Sequence, residues 1–135
     1  MISLVEGVQR DIPLENIRIL QFNILADGLS GLRPDLGEFS RITADILSFD
    51  YRKSKLLQHI IDHDPDIVTL EECDHFDDYF HPELLTRGYD GMFCPKPNSP
   101  CLEYSSKSDG CAVFWKISKL HVNSWKVEFF ICFIK

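Results

Sequence analysis

"IVTLEECDHF", Ile67 to Phe76, is an apolar, β-branched run that ends in two adjacent glutamates where turn residues are usual. Ile67 to Leu70 reads as a buried strand. Successive side chains on a strand point to opposite faces, so Glu71 and Glu72 are expected to do different jobs, with at most one directed into a site.

The segment before this strand, "DYRKSKLLQHIIDHD", places Leu56, Leu57, Ile60 and Ile61 at helical spacing, with Arg52, Lys53, Lys55 and Asp62 around the other face. Pro65 closes that helix by forcing the residue before it towards extended backbone. After the acids, Phe76, Tyr79, Phe80, Leu84 and Leu85 recur at intervals that suit a helix ending at Gly88, a C′ glycine, with Pro82 interrupting it or opening its second half.

Further strands are expected at Ile17 to Leu20, buried and continuing through Gln21 and Phe22, and at Tyr89 to Phe93 and Cys111 to Trp115. Gly28, Gly31, Pro34 and Gly37 predict a mobile surface loop over Ala26 to Ser40. Alternating strands and helices make an α/β unit.

A chain of 135 residues with 44% hydrophobic content supports one modest core. The formal net charge of −7 argues against a sequence-independent grip on nucleic acid, which needs Lys and Arg to displace counterions from phosphates. The five cysteines are irregularly spaced with no CxxC pair, which predicts free thiols in a reducing compartment. No targeting peptide is read at the amino terminus, so the expected location is the cytoplasm, with mitochondria left open. No membrane association is expected, because Phe129 to Ile134 falls far short of the roughly 20 apolar residues of a bilayer span, and that stretch is expected to be a strand.

Asn23 and Glu72 each stand where a central strand runs out of apolar residues. Ligands of open α/β sheets bind beyond the carboxyl ends of strands, and a carboxylate with an amide there can hold a hard cation and a phosphate oxygen. Spacing alone leaves open that Asn23 is a turn residue and the two glutamates solvated strand ends. His59 and His63 have the i, i+4 spacing of zinc ligands but lack a general-base Glu between them, and read as surface histidines near a helix carboxyl end. Cys73, His75, Cys94 and Cys101 lack the short paired spacing of structural zinc sites. Asp109–Gly110 reads as a turn leading into the last strand.

Taken in order, "IRILQFNIL", "PDIVTLEECDHF", "RGYDGMFCPKPNSPC" and "SDGCAVFW" resemble the amino-terminal half of the endonuclease/exonuclease/phosphatase superfamily, and within it the nocturnin-like deadenylase branch. The resemblance implies the amino-terminal half of a two-sheet αββα sandwich, a DNase I-like α/β fold. It places residues 17–120 in a truncated domain, 1–16 in an amino-terminal extension and 121–135 in a divergent apolar tail. It also implies magnesium-dependent phosphoester hydrolysis, with Glu72 as the metal ligand, Asn23 as the active-site amide and Lys96 as a contact to substrate phosphate. Glu71 occupies a position where the family carries Gln, and Phe22 one where it carries Trp. By resemblance the partners are NADP(H), losing its 2′-phosphate, or poly(A) RNA, losing 3′ nucleotides.

The family's second half carries an Asp-x-Asn pair and a carboxyl-terminal Asp-His, and neither is read here. The expectation is a half-domain with an exposed sheet face, prone to self-association and nearly inactive alone. The alternative is a non-catalytic protein-interaction module.

Overall fold

Ser48 starts the long helix. Its side chain accepts the Tyr51 N–H, and the helix runs over Phe49–His63 until Asp64 turns into the left-handed region at φ 44° ahead of Pro65. The computed structural model describes residues 8–9, 16–30, 42–103, 105–124 and 126. In chain order these form β1 (Val8–Gln9), β2 (Ile19–Asn23), a 3₁₀ turn (Asp27–Leu29), α1 (Ala44–Leu47), α2 (Phe49–His63) and β3 (Ile67–Cys73). A π-helical turn (Phe76–Phe80) then runs into α3 (His81–Leu85), followed by β4 (Tyr89–Pro95), a 3₁₀ turn (Pro100–Glu103), β5 (Gly110–Lys116) and β6 (His121–Val122). Pro82 opens the second half of the Phe76 helix, which ends at Leu85 with Thr86 as its cap, so that Gly88, expected at the C′ position, instead falls at φ 82° in the turn beyond it. Most of the expected loop, and the expected strand at Phe129 to Ile134, lie outside the described residues.

Four strands form one sheet in the order β2-β3-β5-β4, with β2 parallel to β3 and the other pairs antiparallel; β1 and β6 make a separate ribbon. Register assigns the faces. Leu20, Phe22, Val68, Leu70, Ala112, Phe114 and Phe93 point towards the helices, and all of them lie in or against the core. Leu57 and Ile60 of α2, with Phe76, Phe80 and Leu84, close that core from the helix side. Phe76 stacks between Phe93 and Phe114, with ring centroids 5.4 and 5.3 Å away. Gly91 makes room for this stack, since a Cβ there would stand 2.4 Å from Phe114 Cδ1.

The other face carries Ile19, Gln21, Asn23, Ile67, Thr69, Glu71, Val113, Trp115, Met92, Cys94 and Cys111. It is half-open, and Ile19 is 64% exposed. The expectation of a buried strand from Ile17 is therefore corrected. β2 begins at Ile19 and, among the described residues, lies at the sheet edge with β3 as its one neighbour, so only its Leu20 and Phe22 turn inward. At the far end of the sheet, buried Asp66 accepts the Arg18 N–H and pairs with Lys119 at 2.8 Å, fixing the start of β3.

Candidate active site

The carboxyl ends of β2, β3 and β4 and the amino end of β5 meet at one rim of the sheet, where Asn23 lies opposite Glu71, Cys73 opposite Gly110, and Gly110 opposite Pro95. Between Leu70 and Cys73 the β3–β5 register slips, with two residues of β3 set against Cys111 alone. Glu72 is the residue that absorbs the slip, at φ 54°. This is a β-bulge with a non-glycine residue in the left-handed region.

The bulge overturns the expectation that Glu71 and Glu72 must face opposite ways. An extra residue resets the period-two alternation. Gln21 donates its side-chain N–H to Glu71 Oε1 at 3.0 Å, and Asn23 donates to Glu72 Oε1 at 2.7 Å. Gln21 and Asn23 share the open face of β2, so both acids reach the same side of the sheet.

Asn23 is tied at both ends of its amide. The Leu25 backbone N–H donates to Oδ1 at 2.8 Å, and because a backbone N–H can only donate, Nδ2 is the end that faces Glu72. Asn23 therefore orients the carboxylate and keeps one N–H for another acceptor.

Lys96 stands on the same rim, one residue beyond β4. Its backbone N–H donates to Asp109 O at 2.8 Å, and its Nζ lies 3.9 Å from Asp109 Oδ2. Asp109, read from the sequence as half of a turn leading into the strand, is buried and bonded. It is 2% exposed, accepts the Ser99 hydroxyl, and gives its own N–H to Ser99 Oγ at 3.1 Å. A buried carboxylate needs such partners, and these fold the "PKPNSPC" loop back on itself. The loop is also seated on the 3₁₀ turn after β2: Cys101 packs against Gly28, where a Cβ would stand 2.9 Å from Cys101 Sγ.

Arg52, read from the sequence as part of the polar face of α2, turns inward instead. Its guanidinium donates to the carbonyls of Leu47 at 2.6 Å, Ile24 at 2.7 Å and Leu25 at 2.9 Å, fastening α2 to the turn that follows Asn23. Burial pulls its pKa below the ordinary value, against the opposing pull of Asp27 and Asp74. Asp74, itself buried, accepts the N–H groups of Asp27 and Gly28 at 2.8 and 3.3 Å. Burial pushes its carboxyl above the usual range, opposed by His75 and those two N–H groups. Arg52 and Asp74 support the rim, and no motif pointed to either; only the order "ECD" and the helix start hinted at their place.

His59 and His63 are exposed on α2 with ring centroids 4.4 Å apart, and His75 stacks on Phe49 at 3.7 Å. Partial desolvation by its strand neighbours, then Glu71 and Cys94, raise the pKa of the Cys111 thiol although the residue is exposed, and burial pushes Cys73 up to about 12. Among the described residues no three His, Cys, Asp or Glu side chains gather as a metal-ligand set. The rim nevertheless offers hard oxygen donors in Glu72 and Glu71, and magnesium takes one or two carboxylates with water and substrate phosphate filling the rest. The donor set fits that ion.

The Endonuclease/Exonuclease/phosphatase family model matches residues 20–133. Nocturnin of Rattus norvegicus is 39% identical over 115 residues, which are 83% of this chain and 26% of that protein. The CCR4-Not complex 3'-5'-exoribonuclease subunit Ccr4 of Neurospora crassa is 36% identical over 118 residues, 83% of this chain and 14% of that protein. The structure of the human Nocturnin catalytic domain with bound sulfate anion superposes with a TM-score of 0.60 at 39% identity, covering 79% of this chain and 36% of that one. The chain thus spans about a quarter or less of these curated relatives and about a third of the solved domain. With its mixed sheet, its acid-bearing rim and a family match over most of its length, the chain belongs to the Endonuclease/Exonuclease/phosphatase family.

Proposed function

We propose that this polypeptide carries one half of a magnesium-dependent phosphoesterase centre of the nocturnin-like branch. The observation that carries the reading is the 2.7 Å bond from Asn23 to Glu72 on the rim that also bears Lys96. Glu72 would hold the ion, with Glu71 adding negative charge beside it. The ion supplies neutralisation of phosphate charge when bound. Asn23 orients the Glu72 carboxylate and offers its remaining N–H to a phosphate oxygen. Lys96 contributes a positive charge towards the same phosphate, held on its loop by Asp109.

The exoribonuclease name of the Ccr4 relative supports a nucleotide phosphoester as the substrate class, and the family resemblance narrows it to the 2′-phosphate of NADP(H) or the 3′ end of poly(A) RNA. The formal charge of −7 favours the smaller of the two. By the family resemblance the residues that would activate water belong to the domain's second half, so the 135-residue polypeptide assayed by itself is expected to bind without appreciable turnover. The irregular spacing of the five cysteines, with no CxxC pair, supports a reducing compartment such as the cytoplasm.

Isothermal titration with magnesium and a nucleotide tests the reading. Metal-dependent nucleotide binding that disappears in Glu72→Ala is the expected result. Absence of any metal-dependent nucleotide binding would instead favour a protein-interaction module. Turnover of NADP(H) or poly(A) by a homogeneous preparation, lost in the same variant, would refute the inactivity of the isolated chain.

A further inference from the structure

Cys94 and Cys111 are directly opposite each other on β4 and β5. Residues opposite in an antiparallel pair share a face, and here that face is the open one, where Cys111 is exposed and Cys94 half-buried. The backbone ladder fixes the spacing. The Lys96 N–H donates to Asp109 O at 2.8 Å and the Ile117 N–H to Gly88 O at 2.9 Å, which marks both of those opposed pairs as hydrogen-bonded. Hydrogen-bonded pairs recur every second residue, so Cys94 and Cys111 belong to the same class, with Cα atoms about 5.5 Å apart. That value falls at the edge of the commonest disulfide span, about 5.5 to 6 Å, and bond formation must draw the two Cβ atoms, about 5.5 Å apart in a hydrogen-bonded pair, together by about 1–2 Å. Pro95 falls on the non-hydrogen-bonded position next to them, where its missing N–H costs the ladder nothing.

We propose that Cys94 and Cys111 form a cross-strand dithiol that a low-molecular-weight disulfide oxidises to an intrachain bond. One thiolate attacks a sulfur of the small disulfide and releases one small thiol, leaving a mixed disulfide on the protein. The second thiolate attacks the protein sulfur of that mixed disulfide and releases the second small thiol. The protein loses two electrons and two protons, and the small disulfide is reduced to two thiols. The Cys94 thiol now lies 3.9 Å from its Pro95 carbonyl, a weak contact that the reaction gives up without further loss. The bond closes the base of the loop that carries Lys96, Ser99 and Asp109. This inference stands apart from the phosphoesterase reading, since it uses only strand register and exposure.

The test equilibrates the purified chain with reduced and oxidised glutathione, quenches with acid, alkylates free thiols and maps the peptides by mass spectrometry. It is run in native buffer and in concentrated urea. The expected result is a Cys94–Cys111 cross-link that dominates in native buffer, with an equilibrium constant about tenfold or more above that in urea, equivalent to about 30 mV. Cys94→Ser and Cys111→Ser should instead accumulate a lasting mixed disulfide on the remaining thiol. Equal constants in native buffer and urea would overturn the proposal. So would mixed disulfides persisting on wild-type Cys94 and Cys111 at the level of the single variants. Because the comparison of native buffer with urea uses the unaltered chain, it decides the matter even where a serine variant does not fold.

Discussion

Glu72 reaches Asn23 over 2.7 Å from a backbone held at φ 54°, so the residue proposed to grip the ion is also the one whose backbone bears the bulge. A left-handed backbone costs an L-residue roughly 1–2 kcal/mol relative to glycine. Glu72→Gly is therefore expected to raise unfolding stability by about 1 kcal/mol in a urea titration while abolishing the heat of magnesium binding. Glu72→Ala should lose the heat without the gain in stability. A loss of stability in the glycine variant would show that the side-chain bond outweighs the backbone strain.

Arg52 makes its contacts as a fork, from Nε to Leu47 and from Nη1 to Ile24 and Leu25. Lysine keeps the charge but has no fork, and it leaves buried carbonyls unmet. Arg52→Lys should cost about 1–3 kcal/mol in urea unfolding. A neutral outcome would mean that water replaces the guanidinium at the turn after Asn23.

Asp109 is the buried end of the Lys96 loop, and the amides of Cys101 and Asp109 each donate to Ser99 Oγ at 3.1 Å. Asp109→Ala takes away the acceptor of the Ser99 hydroxyl. The expected cost is about 1–3 kcal/mol, with faster hydrogen exchange at the two amides. Unchanged exchange would separate Asp109 from the order of the loop.

Asp74 gives the fold a pH dependence of determinate sign. Its folded carboxyl titrates above 3.8, its ordinary value, because burial disfavours the charge. The folded state therefore holds its proton more tightly than the unfolded state does. The resulting stabilisation is complete below 3.8 and disappears as pH rises through the folded value. Relative to Asp74→Asn, the wild type should gain stability as pH falls from neutrality towards 3.8. Parallel urea titrations of the two proteins measure the difference, and a gap independent of pH would contradict the assignment.

Much of this arrangement could be read from local chemistry. Leu57 and Ile60 set the buried face of α2, Asp64 and Pro65 stop it, and the β-branched run after Pro65 makes β3, all from contacts within a few residues. Residues whose roles depend on partners distant in sequence could not be read this way. Arg52 looks like its neighbours Lys53 and Lys55 until Ile24 and Leu25 arrive to accept its hydrogen bonds. Asp109 looks like half of an Asp-Gly turn until Ser99 folds back onto it. The bulge is least visible of all, because it arises from a mismatch between β3 and β5 and not from any preference of glutamate, which disfavours positive φ. Resemblance assigns Asn23 and Glu72 to one site; neither the bond between them nor the face that Glu71 shares could be read from the sequence.

The small ribbon in which Val8 lies opposite Val122 constrains the order of folding. Joining two points roughly a hundred residues apart along a featureless chain costs on the order of 4 kcal/mol of closure entropy, more than a ladder of two residue pairs can offset. Once β2 through β5 have assembled, the same two points are separated by only a short tether on either side of a finished sheet, and the closure cost falls. The ribbon is therefore a late clasp: it should zip after the four-stranded sheet of β2 to β5 and open before it.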